Sequence, residues 1–136
     1  MARDRVMRVA LWVAAGLNLI GISAFLSPTA VGGMAGGLPE PGSHFYTTQL
    51  ALVLALFAGA YVWLARQAVI DRPLVALATL GRAGFFTLAT AWWLLGELPG
   101  RTLLSLTPDP VLAAVFAWWL RATRGPSHPE ITGRAT

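Results

Sequence analysis

Residues Phe45–Ala65 read FYTTQLALVLALFAGAYVWLA, a run of 21 residues without a charged side chain. About 20 apolar residues suffice for a helix to cross the hydrocarbon core of a bilayer, so this run predicts a membrane span. Within it, Ala51, Ala55 and Gly59 recur every four residues and form a stripe of small side chains. Such a stripe predicts close helix packing in lipid, either inside a bundle or between two copies of the chain.

Two more runs resemble this one. Val9–Leu26 has 18 residues without charge and follows three arginines. We interpret it as an uncleaved span, because its apolar core is long, it contains Asn18, and it ends in a poor site for signal cleavage. The next run extends from Pro73, which suits the first turn of a helix, to Gly96, and it contains Arg82.

The last apolar run is short, because Val111–Leu120 has only ten residues. Asp109 as N-cap and Pro110 as first helical residue predict a helix from Pro110 to Thr123. The sequence thus predicts an all-α, four-transmembrane-helix bundle. Its single domain covers residues 1–124, with spans at about 8–26, 45–66, 73–96 and 109–123. We expect a Gly- and Pro-rich loop at Ser27–His44 and a polar tail at 125–136.

The composition agrees with an integral membrane protein. Hydrophobic residues make up 56% of the chain, charged residues only 12%, and the mean hydropathy is +0.62. Soluble domains carry about 25% charged residues. The net charge is +4, but the arginines flank apolar runs and do not form a basic face, which argues against a nucleic-acid partner.

The arginines also predict the orientation. Eight of them fall on one side of four spans and only Arg101 falls on the other. The positive-inside rule therefore predicts that both termini are cytoplasmic. The eight are Arg3, Arg5, Arg8, Arg66, Arg72, Arg121, Arg124 and Arg134.

The sequence contains few groups for chemistry. It has no Cys, and its two histidines, His44 and His128, lie outside the apolar runs, so we expect neither a metal nor a cofactor. No paired carboxylates, catalytic triad or phosphate loop is recognisable. Asp109 is most simply a helix cap and Glu97 an exposed interfacial residue. No acid is evident within the membrane, which weakens a proton-coupled transporter.

Arg82 is the exceptional residue, since it lies about 15 Å into the third span. Either its long stem reaches the interface or its guanidinium faces the bundle interior. For an interior Arg82, Asn18 is at equal depth and is the best partner. Tyr61 is within reach, Gln49 lies near the outer end, and Asp109 is distant. These residues predict a small polar pocket without a carboxylate, suited to a carbonyl, a headgroup or a quinone oxygen.

The order of features resembles the small bacterial four-helix membrane proteins grouped as DoxX-like. The resemblance spans about residues 8–122 and lies in FYTTQLALVLALFAGAYVWLA, DRP, GRAGFF, WLLGELPGR and DPVLAAVFAWWL. It implies a four-helix fold in a bacterial inner membrane and, for some relatives, a link to quinone or sulfur metabolism. It implies no role for any residue of this chain.

Three functional hypotheses remain at this level. The first is a non-catalytic accessory or structural subunit of a larger membrane complex, because site chemistry is lacking. The second is a protein that binds a lipid, quinone or other lipophile near Arg82, with Asn18, Tyr61 and Gln49. The third is an enzyme that acts on a lipophilic substrate.

Overall fold

The computed structural model describes residues 2–26 and 44–123, and this part of the chain is helical apart from short connections. α1 is Ala2–Leu26, α2 is His44–Arg66 and α3 is Arg72–Leu94. α4 is the short helix Gly100–Ser105, and α5 is Pro108–Ala122. The predicted loop at 27–43 and the tail at 125–136 lie outside the described residues.

Four helical segments are long and apolar enough to cross a membrane. They have 23 to 25 residues each, and the fourth, Gly100–Ala122, consists of α4 and α5 together. Large apolar side chains cover the outside of the bundle, as expected for a lipid-facing surface. Examples are Leu19, Leu56, Leu80, Leu104 and Val111. The chain is a multi-pass, all-α membrane protein, as the sequence predicts.

The helices run up and down, so that α1 begins where α2 ends. Arg8 Nη1 on α1 donates to the carbonyl oxygen of Ala65 at 2.6 Å. Arg72 Nη2, at the start of α3, donates to the carbonyl oxygen of Leu120 at 2.7 Å. These bonds place the start of α1, the end of α2, the start of α3 and the end of α5 together. We call this the arginine-rich end.

The tight core lies in the half of the bundle next to the arginine-rich end. α1 packs closely on α2, α3 packs closely on α5, and α1 contacts α5 over a shorter length. Met7, Leu11, Leu64, Val75 and Phe116 are all completely or almost completely buried there. Toward the opposite end the packing loosens, because α2 and α3 do not pack closely against each other.

The start of α3 follows the predicted pattern. Asp71 is the N-cap, and its Oδ1 accepts a hydrogen bond from the backbone nitrogen of Leu74 at 3.1 Å. Pro73 lies in the first turn, where its missing N–H costs nothing. α3 ends at Leu94, two residues before the predicted end, and Gly96 in the following turn has a φ of 82°.

The predicted stripe of small residues on α2 is wrong as an internal packing face. Ala51 is buried, but Ala55 and Gly59 are exposed. The buried positions are Ala51, Ala58, Tyr61, Leu64 and Ala65, and their spacings of seven and three or four residues follow one helix face. A strict spacing of four drifts off that face, because a turn contains about 3.6 residues.

The fourth span also starts earlier than predicted. α5 begins at Pro108 with Thr107 as its N-cap, so Asp109 is inside the first turn and does not cap the helix. α4 precedes it from Gly100, and only Leu106 and Thr107 interrupt the helical segment. The short apolar run Val111–Leu120 is therefore the half of a full-length span, Gly100–Ala122, that lies nearer the arginine-rich end. This shift places Asp109 far from the membrane surface.

Candidate functional site

Arg82 faces the interior of the bundle. It lies near the middle of α3, and only 6% of its surface is exposed. The structure therefore excludes the alternative in which its stem snorkels to the interface. A guanidinium in this position needs partners, because a charge at the centre of a membrane costs at least about 2.5–3.5 kcal/mol.

Asn18 is one of these partners, which confirms the pair predicted from equal depth. Arg82 Nη2 donates to Asn18 Oδ1 at 3.1 Å and to the carbonyl oxygen of Ala14 at 3.2 Å. Asn18 Nδ2 in turn donates to the carbonyl oxygen of Leu54 at 3.3 Å. The Asn18 amide thus connects α1 with both α2 and α3, and its exposure is 8%.

Asp109 is the second partner, and here the prediction is wrong. Its Oδ1 accepts a hydrogen bond from Arg82 Nη1 and forms a salt bridge with it. From the sequence, Asp109 is expected near the outer surface because it precedes the apolar run Val111–Leu120, but the span already begins at Gly100. Measured along α5 from Arg121, Asp109 is about 18 Å deep, similar to the depth of about 15 Å for Arg82 below Arg72.

The site consequently differs in charge from the predicted one. It contains an intramembrane carboxylate, and the Arg82–Asp109 pair is neutral overall. From the sequence, the lack of an acid within the spans counts as evidence against proton-coupled transport. Asp109 is an acid within the spans, so this objection no longer applies.

Tyr61 completes the polar cluster from α2. The guanidinium carbon of Arg82 lies 5.1 Å from the centre of the Tyr61 ring, a cation–π distance. The same ring contacts Phe57 and Phe116, with ring centres 6.1 and 6.2 Å away. Gln49, the fourth candidate, is exposed and lies apart from this cluster.

One donor in the cluster has no partner. Arg82 Nε is buried and makes no hydrogen bond with the described residues. An unpaired buried N–H typically costs about 1–3 kcal/mol. Arg82 is therefore incompletely satisfied, although its two terminal nitrogens are both engaged.

A cavity of about 710 Å³ begins at this cluster. Asn18, Tyr61, Arg82 and Asp109 form its deep end at mid-membrane, and the cavity continues toward the end opposite the arginines. Its walls there are mostly apolar, with Leu17, Leu54, Phe57, Phe85, Leu88 and Trp92 among them. Phe85, Leu88 and Trp92 are also exposed, so the cavity opens to the surface of the bundle.

The loose packing of α2 against α3 explains why this space exists. At the deep end of the cavity these two helices meet through the Tyr61–Arg82 contact. Glu97 and Thr102 also line the cavity, from the α3–α4 connection and from α4, and neither was predicted. No periodic pattern marks these two residues, because Glu97 lies in a connection and α4 has only six residues.

Within residues 2–26 and 44–123, no group of three His, Asp or Glu side chains is placed so that it could hold a metal ion. His44 is exposed at the first residue of α2, and His128 lies outside the described residues.

Comparison with known proteins adds no relative. No family model, curated protein or solved structure matches this chain. The resemblance to DoxX-like proteins stays a prediction from the order of sequence features.

Proposed function

We propose that this protein binds a lipophilic molecule, such as a lipid or a quinone, in the cavity between its spans. The observation that carries the proposal is the combination of a polar cluster at mid-membrane with an apolar cavity that leads away from it. Ligand sites are typically cavities of about 300–1,000 Å³ with mainly apolar walls and a few convergent polar groups. This cavity has both properties.

The polar cluster adds further support. Ionisable residues inside a membrane are rare and usually mark a functional site. The Arg82–Asp109 pair alone would serve to hold α3 and α5 together. A purely structural pair, however, requires neither a cavity beside it nor a donor left without a partner.

Native purification with lipid analysis tests the proposal. We expect an enriched lipophile in extracts of the protein relative to bulk membrane lipid. Gly81 and Gly84 offer a matched pair of variants, because both are exposed glycines of α3 with open space where a side chain would begin, and only Gly81 lines the cavity. Gly81→Phe should therefore deplete the lipophile, whereas Gly84→Phe should retain it. Extracts that match bulk membrane lipid in the wild type would refute the proposal.

The location in the cell is part of the proposal. We place the protein in a bacterial inner membrane with both termini in the cytoplasm, which directs the cavity toward the outer leaflet. The chain has no natural cysteine, so Arg5→Cys and Arg101→Cys give unambiguous labelling sites. In intact cells a membrane-impermeant maleimide should label only the cysteine at position 101. Labelling at position 5 alone would reverse the orientation.

The accessory-subunit hypothesis remains a second proposal that rests on the sequence. No contact among the described residues favours it over lipophile binding. The same native sample tests it, because a stoichiometric protein partner would support an accessory role and a free chain would oppose it.

A further inference from the structure

We propose that the cavity selects uncharged lipophiles with a hydrogen-bond acceptor oxygen at one end, and that this oxygen binds at the deep end beside Arg82. The inference rests on the proposed function and names the chemical class of its ligand. Two observations lead to it: the charge balance of the cavity and the unpartnered Nε of Arg82.

The charge balance disfavours anionic ligands. Asp109 already neutralises Arg82, so no net positive charge remains at the deep end. The other charged side chain among the described lining residues is Glu97, which is acidic and exposed. A carboxylate or phosphate would therefore have to leave water for a site whose described lining carries a net negative charge. An ion without a compensating partner is strongly disfavoured in such surroundings.

The donor count favours an acceptor. Arg82 Nη1 binds Asp109, and Nη2 binds Asn18 and the Ala14 carbonyl. Nε lacks a partner among the described residues. A carbonyl oxygen accepts hydrogen bonds without carrying a charge. A ligand oxygen that reaches Nε, which is buried at the deep end, satisfies the remaining donor and leaves the ion pair intact.

The position of the cluster sets the orientation of the ligand. The polar end of the cavity is at mid-membrane and its apolar part lies nearer the opposite surface. A bilayer phospholipid has the reverse order, with its headgroup at the surface. The ligand we infer enters with its polar end first and leaves its apolar chain among residues such as Phe85 and Trp92.

Binding of matched probes tests the inference. The probes are a long-chain methyl ketone, the fatty-acid anion, the primary amine and the alkane, all of one carbon number. Each is titrated into protein in nanodiscs, with empty nanodiscs as the reference. We expect saturable binding of the ketone at least tenfold tighter than that of the other three, because the anion meets a net negative lining, whereas the ammonium group and the alkane offer Arg82 Nε no acceptor. A ¹³C-labelled ketone should show a lowered carbonyl stretching frequency when bound, because the oxygen accepts a hydrogen bond.

The variant Asp109→Asn sharpens the test, because it removes the negative partner and keeps Arg82 Nε. We expect the ratio of carboxylate to ketone affinity to rise at least tenfold. An unchanged ratio in folded protein would overturn the role of charge balance. If this variant does not fold, the wild-type probe series decides alone.

The outcomes separate the two proposals. If the carboxylate or the amine binds wild type as tightly as the ketone, the inference fails and lipophile binding stands. Equal binding of alkane and ketone overturns the role of the acceptor oxygen. If none of the four probes binds saturably, both the inference and the proposed function fail.

Discussion

Removal of Asp109 should destabilise the protein through the charge that it leaves behind. In Asp109→Asn, Arg82 retains its hydrogen bonds to Asn18 and the Ala14 carbonyl and its contact with the Tyr61 ring. Its Nη1 loses the carboxylate, and the guanidinium becomes an uncompensated buried cation. Breaking one side of a buried ion pair costs about 3–5 kcal/mol. Because the other contacts persist, we expect a loss near the lower limit, about 3 kcal/mol.

A double-mutant cycle separates the energy of the Arg82–Asp109 interaction from the other effects of replacing each residue. Arg82→Gln with Asp109→Asn has neither charge, so we expect it to be more stable than the sum of the single changes implies. The coupling energy should be about 2 kcal/mol or more, because both groups are largely buried, whereas exposed ion pairs give at most about 1 kcal/mol. In equilibrium constants, 2 kcal/mol is a factor of about 30.

Unfolding by SDS in lipid bicelles, followed by tryptophan fluorescence, measures the four free energies of this cycle. Arg101→Gln is the matched control, because Arg101 is exposed and should change stability by less than about 0.5 kcal/mol. A coupling below about 0.5 kcal/mol, with the control behaving as expected, would refute the reasoning that the pair is buried and mutually dependent.

Three further predictions use the same assay. Tyr61→Leu should lower the free energy of unfolding by about 2 kcal/mol or more, because the ring contacts are lost. Tyr61→Phe keeps the ring and should lower it by less than about 1.5 kcal/mol. Equal losses for the two variants would contradict the role of the ring. Ala51→Leu, at a buried contact, should lower the free energy of unfolding by about 1–3 kcal/mol, and Ala55→Leu, on the lipid face, by less than about 0.5 kcal/mol. A larger loss for Ala55→Leu would indicate that the stripe of small residues is a packing face after all. Asp71→Ala removes the cap of the Leu74 backbone nitrogen and should cost about 1 kcal/mol, while no loss would show that water replaces the cap.

Much of the fold follows from the sequence because the bilayer fixes the length of each span. The charges at Arg66 and Arg72 mark where α2 ends and α3 begins almost to the residue. The fourth span is harder to recognise, since α4 contains Arg101, Thr102 and Ser105, which lower the local hydropathy. A window of apolar residues therefore detects only the inner part of that span.

The same reasoning explains the mixed result at the site. Depth counted from Arg8 and Arg72 correctly brings Asn18 and Arg82 together. For Asp109 the edge of the apolar run is the wrong reference, and a count from Arg121 places it opposite Arg82. The cavity itself is beyond sequence reasoning, because it depends on which helix pairs fail to pack closely, and periodicity carries no such information.

The Arg82–Asp109 pair has a consequence for the order of membrane insertion. Asp109 follows Arg82 by 27 residues in the chain, so α3 is synthesised before its counter-charge exists. Asn18, by contrast, is already in place when α3 emerges from the ribosome. An arginine at the centre of a helix makes insertion of that helix into lipid less favourable by about 2.5–3.5 kcal/mol when no counter-charge is present. Because Asp109 becomes available only when the α4–α5 segment has been made, we expect the cost of holding Arg82 in the bilayer to fall at that late step of biogenesis.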